Sequence, residues 1–502
     1  MSAPSLHGPC PSSGDASRRS SHSVFMAHLH QRKLMSRLVV VSNRVPMPAK
    51  DGSAAAGGLA VALQAALQER GGIWMGWSGE SSGDREPGPL SQLQKGNITY
   101  ALTDLTDTDV EEYYRGFANR VLWPICHYRL DLAEYGRKEM AGYFRVNRFF
   151  AHRLAPMIEP DDIIWVHDYH LIPLAAELRQ MGLKNRIGFF LHIPWPPADI
   201  LVTMPVHEEI MRGLSHYDLV GFQTDYDLQN FAGYLRREGI GDDLGNGLFD
   251  SHGRIFKAGA YPIGIETAGF AEFAERAANN IMVQKTRRSV EGRDMIIGVD
   301  RLDYSKGIIQ RLEAFETFLT SNPAYQNKVT YLQVTPKSRS EVPEYEHMQK
   351  MVAEQAGRVN GAIGTVDWVP IRYVNRSISR NVLAGIYRLA TIGLVTPLRD
   401  GMNLVAKEYV AAQDPDRPGV LVLSRFAGAA RELKGALLVN PYDVEGTANA
   451  IAKGLSMSLE ERRDRWSMMM EHLLSHDVSL WCENFLGDLV LAPELRPEHD
   501  PG

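Results

Sequence analysis

Ile392-Gly393-Leu394-Val395 and, shortly after it, Arg399-Asp400-Gly401-Met402-Asn403-Leu404-Val405-Ala406-Lys407-Glu408 decide how the rest of the chain is read. The first run is short and wholly apolar, the pattern of a buried parallel strand. Val405, Tyr409 and Ala412 fall on one helical face, so the second run opens a helix. Gly401 permits a tight or left-handed turn between the two, and Asn403 is a strong N-cap. Amides just after an N-cap lack partners within the helix, which suits them to a diphosphate. Glu408 lies one turn in, placed to accept hydrogen bonds from a sugar diol. An ordinary helix start with a solvated acid has the same pattern, and the remaining strand tips must separate the two readings.

Working outward, apolar strands recur with polar residues at their carboxyl tips. Leu38–Val41 runs into Ser42-Asn43-Arg44, and Gly57-Gly58 then opens an apolar helix. Asp162–Val166 ends in His167-Asp168-Tyr169-His170, and Ile187–Leu191 in His192-Ile193-Pro194. Leu219–Phe222 ends in Gln223-Thr224-Asp225. A second series starts after a hinge at Tyr261–Ile265. Met295–Val299 ends in Asp300–Gly307, and Val329–Val334 in Thr335–Arg339. Helical patterns separate these strands, and open α/β sheets bind ligands at such tips. The fold class expected is α/β, with two doubly wound Rossmann-like domains facing a central cleft. The bounds expected are 36–265 and 266–475, with a C-terminal helix over 476–495 packing back on the first domain. Residues 1–35, rich in Ser, Pro, Gly and His, read as a disordered tail. The segment from Arg236 to Phe256 is Gly- and Asp-rich and shows no clear pattern, and the aromatic segment Glu111–Trp123 reads as a helix broken at Pro124.

The 502 residues are 44% hydrophobic and carry a formal charge of −6, without a Lys/Arg block. Nucleic acid and anionic membrane are therefore not expected as partners, and no apolar run is long enough for a membrane span. Cys10, Cys126 and Cys482 are few, odd in number and widely spaced, which fits a reducing cytoplasm and neither disulfides nor zinc.

Arg301 and Lys306 stand five apart on one strand-to-helix loop, two cations suited to a leaving diphosphate. Arg44, Lys337 and Arg339 form a second candidate anion set. Arg399 reads as structural. His167, Asp168, His170 and His192 make a weak metal pattern; Asp168 and His192 are better placed for sugar hydroxyls, and no metal is expected. A hydrolase with paired carboxylates is the rival enzymatic reading, but Asp400 and Glu408 sit beside a phosphate-binding turn. There is no Gly-x-Ser-x-Gly elbow and no Walker A sequence.

Val41–Arg44, Gly57-Gly58-Leu59, Trp77-Ser78-Gly79, Glu112–Tyr114, Val121–Pro124, His167–His170, His192–Pro194, Arg301–Gly307 and Asp400–Glu408 together resemble the trehalose-6-phosphate synthase family. The resemblance runs from Ser36 to Leu489. It implies a retaining glycosyltransferase of two Rossmann-like domains (GT-B type) that moves glucose from UDP-glucose to glucose 6-phosphate. It implies no cofactor and no metal, small-molecule partners only, and a cytoplasmic homo-oligomer. By the same resemblance, Arg301, Lys306, His192 and Asp400 are catalytic. Gly57, Gly58, Arg301, Lys306, Leu404, Val405, Ala406, Lys407 and Glu408 hold the donor. Arg44, Tyr114, Asp168 and Arg339 hold the acceptor, and Trp123 with His192 selects the anomer. Ile378 stands where the family often has Phe near the base. The implied chemistry is front-face transfer, the leaving diphosphate taking the acceptor proton without a protein nucleophile. A changed acceptor such as glycerol 3-phosphate, or a non-catalytic sugar-phosphate sensor, keeps the same fold.

Overall fold

Apolar strands and intervening helices assemble into two sheets in the computed structural model, which describes residues 36–45, 58–83, 86–336 and 343–493. The expected tail at 1–35 lies outside these residues. The first sheet contains β1 (Leu38–Arg44), β2 (Gly72–Ser81), β3 (Ser91–Lys95), β4 (Ile98–Leu105), β5 (Ile163–His167), β6 (Arg186–Phe190), β7 (Leu219–Phe222), β8 (Gly241–Gly245), β9 (Leu248–Ser251) and β10 (Arg254–Ala260). Its order is β3-β4-β2-β1-β5-β6-β7-β10-β9-β8. The strands from β4 to β10 in that order pair in parallel, while β3, β9 and β8 are antiparallel additions at the two edges. Those additions carry few of the apolar runs that mark buried strands. The hairpin pair β8–β9 falls in the stretch 236–256 that showed no pattern in the sequence.

The second sheet contains β11 (Asp294–Val299), β12 (Val329–Val334), β13 (Ile371–Val374), β14 (Ile392–Val395), β15 (Val420–Ser424) and β16 (Leu437–Val439). Its order is β13-β12-β11-β14-β15-β16, all parallel. Counted from its own first strand this is the 3-2-1-4-5-6 order of a dinucleotide-binding sheet. The order reverses between β11 and β14, so the loops after these two strands open beside one another. They are the loops that carry Arg301 and Lys306, and Asp400 to Glu408. In the first sheet the reversal falls between β1 and β5, bringing Arg44 and Asp168 to neighbouring tips.

The aromatic segment is a π-helix over Val110–Leu122, followed by a short α-helix over Trp123–Cys126. Pro124 does not end the helix as expected, because in the first turn of the new helix its missing N–H breaks no bond. The helix Val478–Leu491 lies against the first sheet. Phe485 stacks on Trp165 with centroids 4.8 Å apart, and a Cβ on Gly188 or Gly221 would meet the Phe485 ring at 2.8 or 2.7 Å. Tyr261 donates to Asp488 at 2.6 Å, and Arg186 donates to the Pro493 carbonyl at 2.8 Å. Among the described residues no helix is long and apolar enough to cross a membrane.

Candidate active site

The turn after β14 is held by main-chain bonds to the segment after β15. Asp400 N–H donates to Phe426 O, Gly428 N–H to Asp400 O, and Ala429 N–H to Met402 O. Asn403 has φ +83 and caps the helix Leu404–Ala412, its Oδ1 accepting from Ala406 N–H at 3.1 Å. Its Nδ2 donates to Asp400 Oδ2 at 3.0 Å. Lys306 Nζ donates to the same oxygen at 2.5 Å. Lys306 and Asp400, separated by 94 residues in sequence, thus form one part-buried ion pair at the switch point. Arg301 is exposed on the loop that carries Lys306.

Arg311, which no local pattern singles out, fastens the two loops together. It is 1% exposed and donates to Asp300 Oδ2 (2.6 Å), Thr396 Oγ1 (3.0 Å) and the Lys306 carbonyl (3.1 Å). Asp300 and Lys306 lie after β11 and Thr396 after β14, so a single guanidinium sets the spacing of the two loops. Its position in the helix Ile308–Ser321 looks in sequence like any basic residue on a helix.

Leu404 and Val405 are half-buried at the helix start and Ala406 is buried. Lys407 is turned away from the cleft. Its Nζ, fully buried, is 2.7 Å from Glu432 Oε2 and 2.7 Å from the Ile263 carbonyl. Any part Lys407 takes in donor binding is therefore through its main chain, because a helix places successive side chains on different faces. Glu408 is half-buried, and burial pushes its carboxyl up to about 7, against the field of Arg380.

Across the cleft, Gly401 touches the other half of the molecule. A Cβ at Gly401 would lie 2.2 Å from the His192 carbonyl oxygen. Burial lowers the His192 imidazole to about 3, so it is neutral. Its tautomer follows from its neighbours. Gln223 Oε1 accepts from Ile263 N–H at 3.1 Å, which turns the Gln223 amide N–H groups toward His192 Nδ1 at 3.4 Å. Nδ1 therefore accepts, and Nε2–H donates to His167 Nδ1 at 3.1 Å. Ile263 at the hinge is held through both its N–H and its carbonyl, by Gln223 behind His192 and by Lys407 of the helix Leu404–Ala412.

Asp168 joins the tips of β5 and β6. Its N–H donates to Phe190 O at 2.8 Å and its Oδ1 accepts from His192 N–H at 3.2 Å. Its backbone, φ +76 and ψ 165, lies in a region that only glycine enters freely, a strain of about 1–3 kcal/mol. Arg44 and Tyr114 meet on Trp77, with Arg44 Cζ 4.7 Å and the Tyr114 centroid 5.4 Å from its ring. Tyr114 also stacks on His170 at 5.9 Å. Trp123 is buried, 4.1 Å from the His127 ring. His127, also passed over in the sequence, donates from Nδ1 to Trp123 O at 2.7 Å; burial lowers it to about 4, and the charges of Asp303, Lys306 and Asp400 all reach it. Gly58 is the first residue of the helix Gly58–Arg70. Gly57, Lys337 and Arg339 lie outside the described residues. Arg399, read as structural, packs its guanidinium on Tyr128 at 3.6 Å. Ile378 is half-buried beside the core. Among the described residues no group of three or more His, Cys, Asp or Glu is arranged to hold a metal ion.

Two nucleotide-type sheets, with Arg301, Lys306 and a capped helix start on one side of a cleft and Arg44, Tyr114, Asp168 and His192 on the other, have the architecture of a GT-B glycosyltransferase. The profile of glycosyltransferase family 20 matches residues 36–490, and the chain belongs to that family. It is 77% identical over 461 residues to the trehalose-6-phosphate synthase of Sinorhizobium fredii, covering 92% of this chain and 99% of that one. Its fold matches a UDP-forming α,α-trehalose-phosphate synthase from Burkholderia xenovorans in complex with glucose-6-phosphate. That match has a TM-score of 0.87 and 47% identity, and covers 90% of this chain and 100% of the other. A structure from E. coli bound with UDP-2-fluoro glucose matches with a TM-score of 0.87 and 45% identity, over 92% and 100% of the two chains.

Proposed function

We propose that this chain transfers glucose from UDP-glucose to glucose 6-phosphate with retention, giving α,α-trehalose 6-phosphate and UDP. The observation that carries the reading is the ion-paired Lys306 and Asp400 at the switch point of the second sheet, facing His192 across Gly401. Lys306 and Arg301 stabilise the charge that grows on the leaving diphosphate. The amides at Leu404 and Val405 and the loop at Gly57-Gly58 hold that diphosphate, and Glu408 accepts from the ribose diol. Asp400 and His192 hold the donor glucose; the 3.4 Å bond from Gln223 is the weakest in the His192 chain and is the one a sugar hydroxyl replaces. Arg44, Tyr114 and Arg339 bind the acceptor phosphate and Asp168 its hydroxyls, with Trp123 shaping the acceptor pocket. The acceptor hydroxyl approaches on the face the diphosphate leaves, and the departing oxygen takes its proton. Positioning and charge stabilisation supply the rate, so no protein nucleophile is required.

A product assay tests this directly. UDP-glucose with glucose 6-phosphate should give a phosphorylated non-reducing disaccharide, and UDP release should persist in EDTA. Turnover with glycerol 3-phosphate in place of glucose 6-phosphate would sink the acceptor assignment. The reading includes a cytoplasmic location, which the scarcity of cysteine supports, and a homo-oligomer, which light scattering of the purified chain tests.

A further inference from the structure

The Asp400–Gly401 turn forms part of the wall of a cavity of about 280 Å³ whose lining holds three arginines and two aspartates. Arg399, Arg425 and Arg431 reach it from the second sheet's side, and Tyr226 from the first sheet's side. A neighbouring cavity of about 430 Å³ shares Arg425 and Arg431 and adds Lys434. The chain as a whole is acidic, with a formal charge of −6, so four cations around two adjoining cavities are not a sample of a generally basic surface.

Two of the cations are held on aromatic faces. Arg399 packs on Tyr128 at 3.6 Å and on Phe426 at 5.5 Å, and Arg431 on Tyr226 at 5.6 Å. Such contacts engage the guanidinium face and leave its N–H edge to donate. Among the described residues none of the four is within ion-pair distance of a carboxylate. The two acids that line the cavity are engaged elsewhere. Asp227 accepts from Thr224 Oγ1 and Trp195 N–H, and Asp400 from Lys306.

We propose that this groove is a second anion site, adjoining the donor site at Asp400 but centred on Arg425 and Arg431, that takes a small phosphorylated metabolite. Three guanidinium forks and an ammonium exceed what one carboxylate balances, and they match the several oxygens and double charge of a phosphate. An occupant touches Tyr226 on one half of the molecule and Arg425 and Arg431 on the other, beside the turn that carries Asp400. It therefore ties the two halves together at the cleft. The proposal does not depend on which acceptor the enzyme uses.

Pyrophosphate, titrated by calorimetry into the full chain saturated with UDP, is the test. Binding is expected with UDP present and in Arg44→Gln. The Arg425→Gln/Arg431→Gln double variant should bind at least about tenfold more weakly, while keeping UDP affinity and basal turnover. Lys434→Glu, at an exposed position, should weaken binding in the same direction and guards against misfolding of the double variant. Binding abolished by UDP or by Arg44→Gln assigns the heat to the active site and overturns the proposal. So does equal affinity in all variants, or no binding at millimolar pyrophosphate.

Discussion

Lys306 and Asp400 are the residues whose chemistry is most exposed to test. Their 2.5 Å pair holds the ammonium where a diphosphate oxygen would develop charge. Lys306→Ala should lower kcat by about 10²–10³-fold, the usual loss for one preorganised donor, with little change in the far-UV circular dichroism. Turnover within a few-fold of the parent in a UDP-release assay would remove Lys306 from the chemistry. Glu408 gives a pH signature. Its folded value, about 7, is raised above the ordinary 4.5, so the folded state holds a proton that the unfolded state gives up. Stability is therefore unaffected by this group below about pH 4.5, falls as pH rises through the interval to 7, and stays lowered above it. Glu408→Gln should raise the thermal midpoint at pH 8 and leave it unchanged at pH 4. The carboxylate is the form that accepts from a diol, so UDP-glucose affinity should weaken below about pH 7 in the parent. That pH dependence should vanish in the variant, on an already weaker affinity. A parallel pH profile in both proteins would detach Glu408 from the ribose.

At the scale of elements, the site depends on how two strand-to-helix loops are joined. Their existence was legible from local pattern. β11 and β14 are apolar runs, Asn403 is a cap residue, and Gly307 with φ +63 sits where a helix must start sharply. Their joining was not legible, because Arg311 reaches Asp300 and Thr396 from opposite directions along the chain, 11 and 85 residues away. Arg311→Ala leaves Asp300 buried without its cation and should destabilise by about 3–5 kcal/mol, read as a shift in the urea midpoint. Arg311→Lys keeps the charge but not the fork. It should recover part of the stability while kcat remains depressed, since an ammonium cannot bond three acceptors in one plane. Full recovery of kcat in the lysine variant would mean that the spacing of the loops does not matter. The edge strands β3, β8 and β9 and the π-helix were missed for a related reason. Exposed antiparallel strands carry little hydrophobic alternation, and the wider winding of a π-helix leaves an ordinary helical pattern in the sequence.

For the whole molecule, function rests on two sheets meeting across a cleft. Gly401 marks a point of close approach, and there a side chain would strike the main chain at His192 and Ile193. Gly401→Ala must push the two loops apart, and kcat/KM should fall by about 10²-fold, in line with the loss from small misplacements of reacting groups. The thermal midpoint should move by only a few degrees. Unchanged kcat/KM would show that the contact is incidental. The helix Val478–Leu491 adds a second tie, as its Phe485 fills the space left by Gly188 and Gly221 on the first sheet.

The sequence by itself determined the strands, the polar groups at their tips and the capped turn at Asp400–Glu408, because burial periodicity and turn chemistry act over a few neighbouring residues. It also carried the motifs that mark the family. Only the tertiary structure decided which tips meet. It paired Lys306 with Asp400, turned Lys407 inward to Glu432 and the hinge, set Arg311 between the two loops and brought Gly401 against His192. These are contacts between segments far apart in the chain. Their geometry comes from strand order and from the docking of two sheets, which no local pattern encodes.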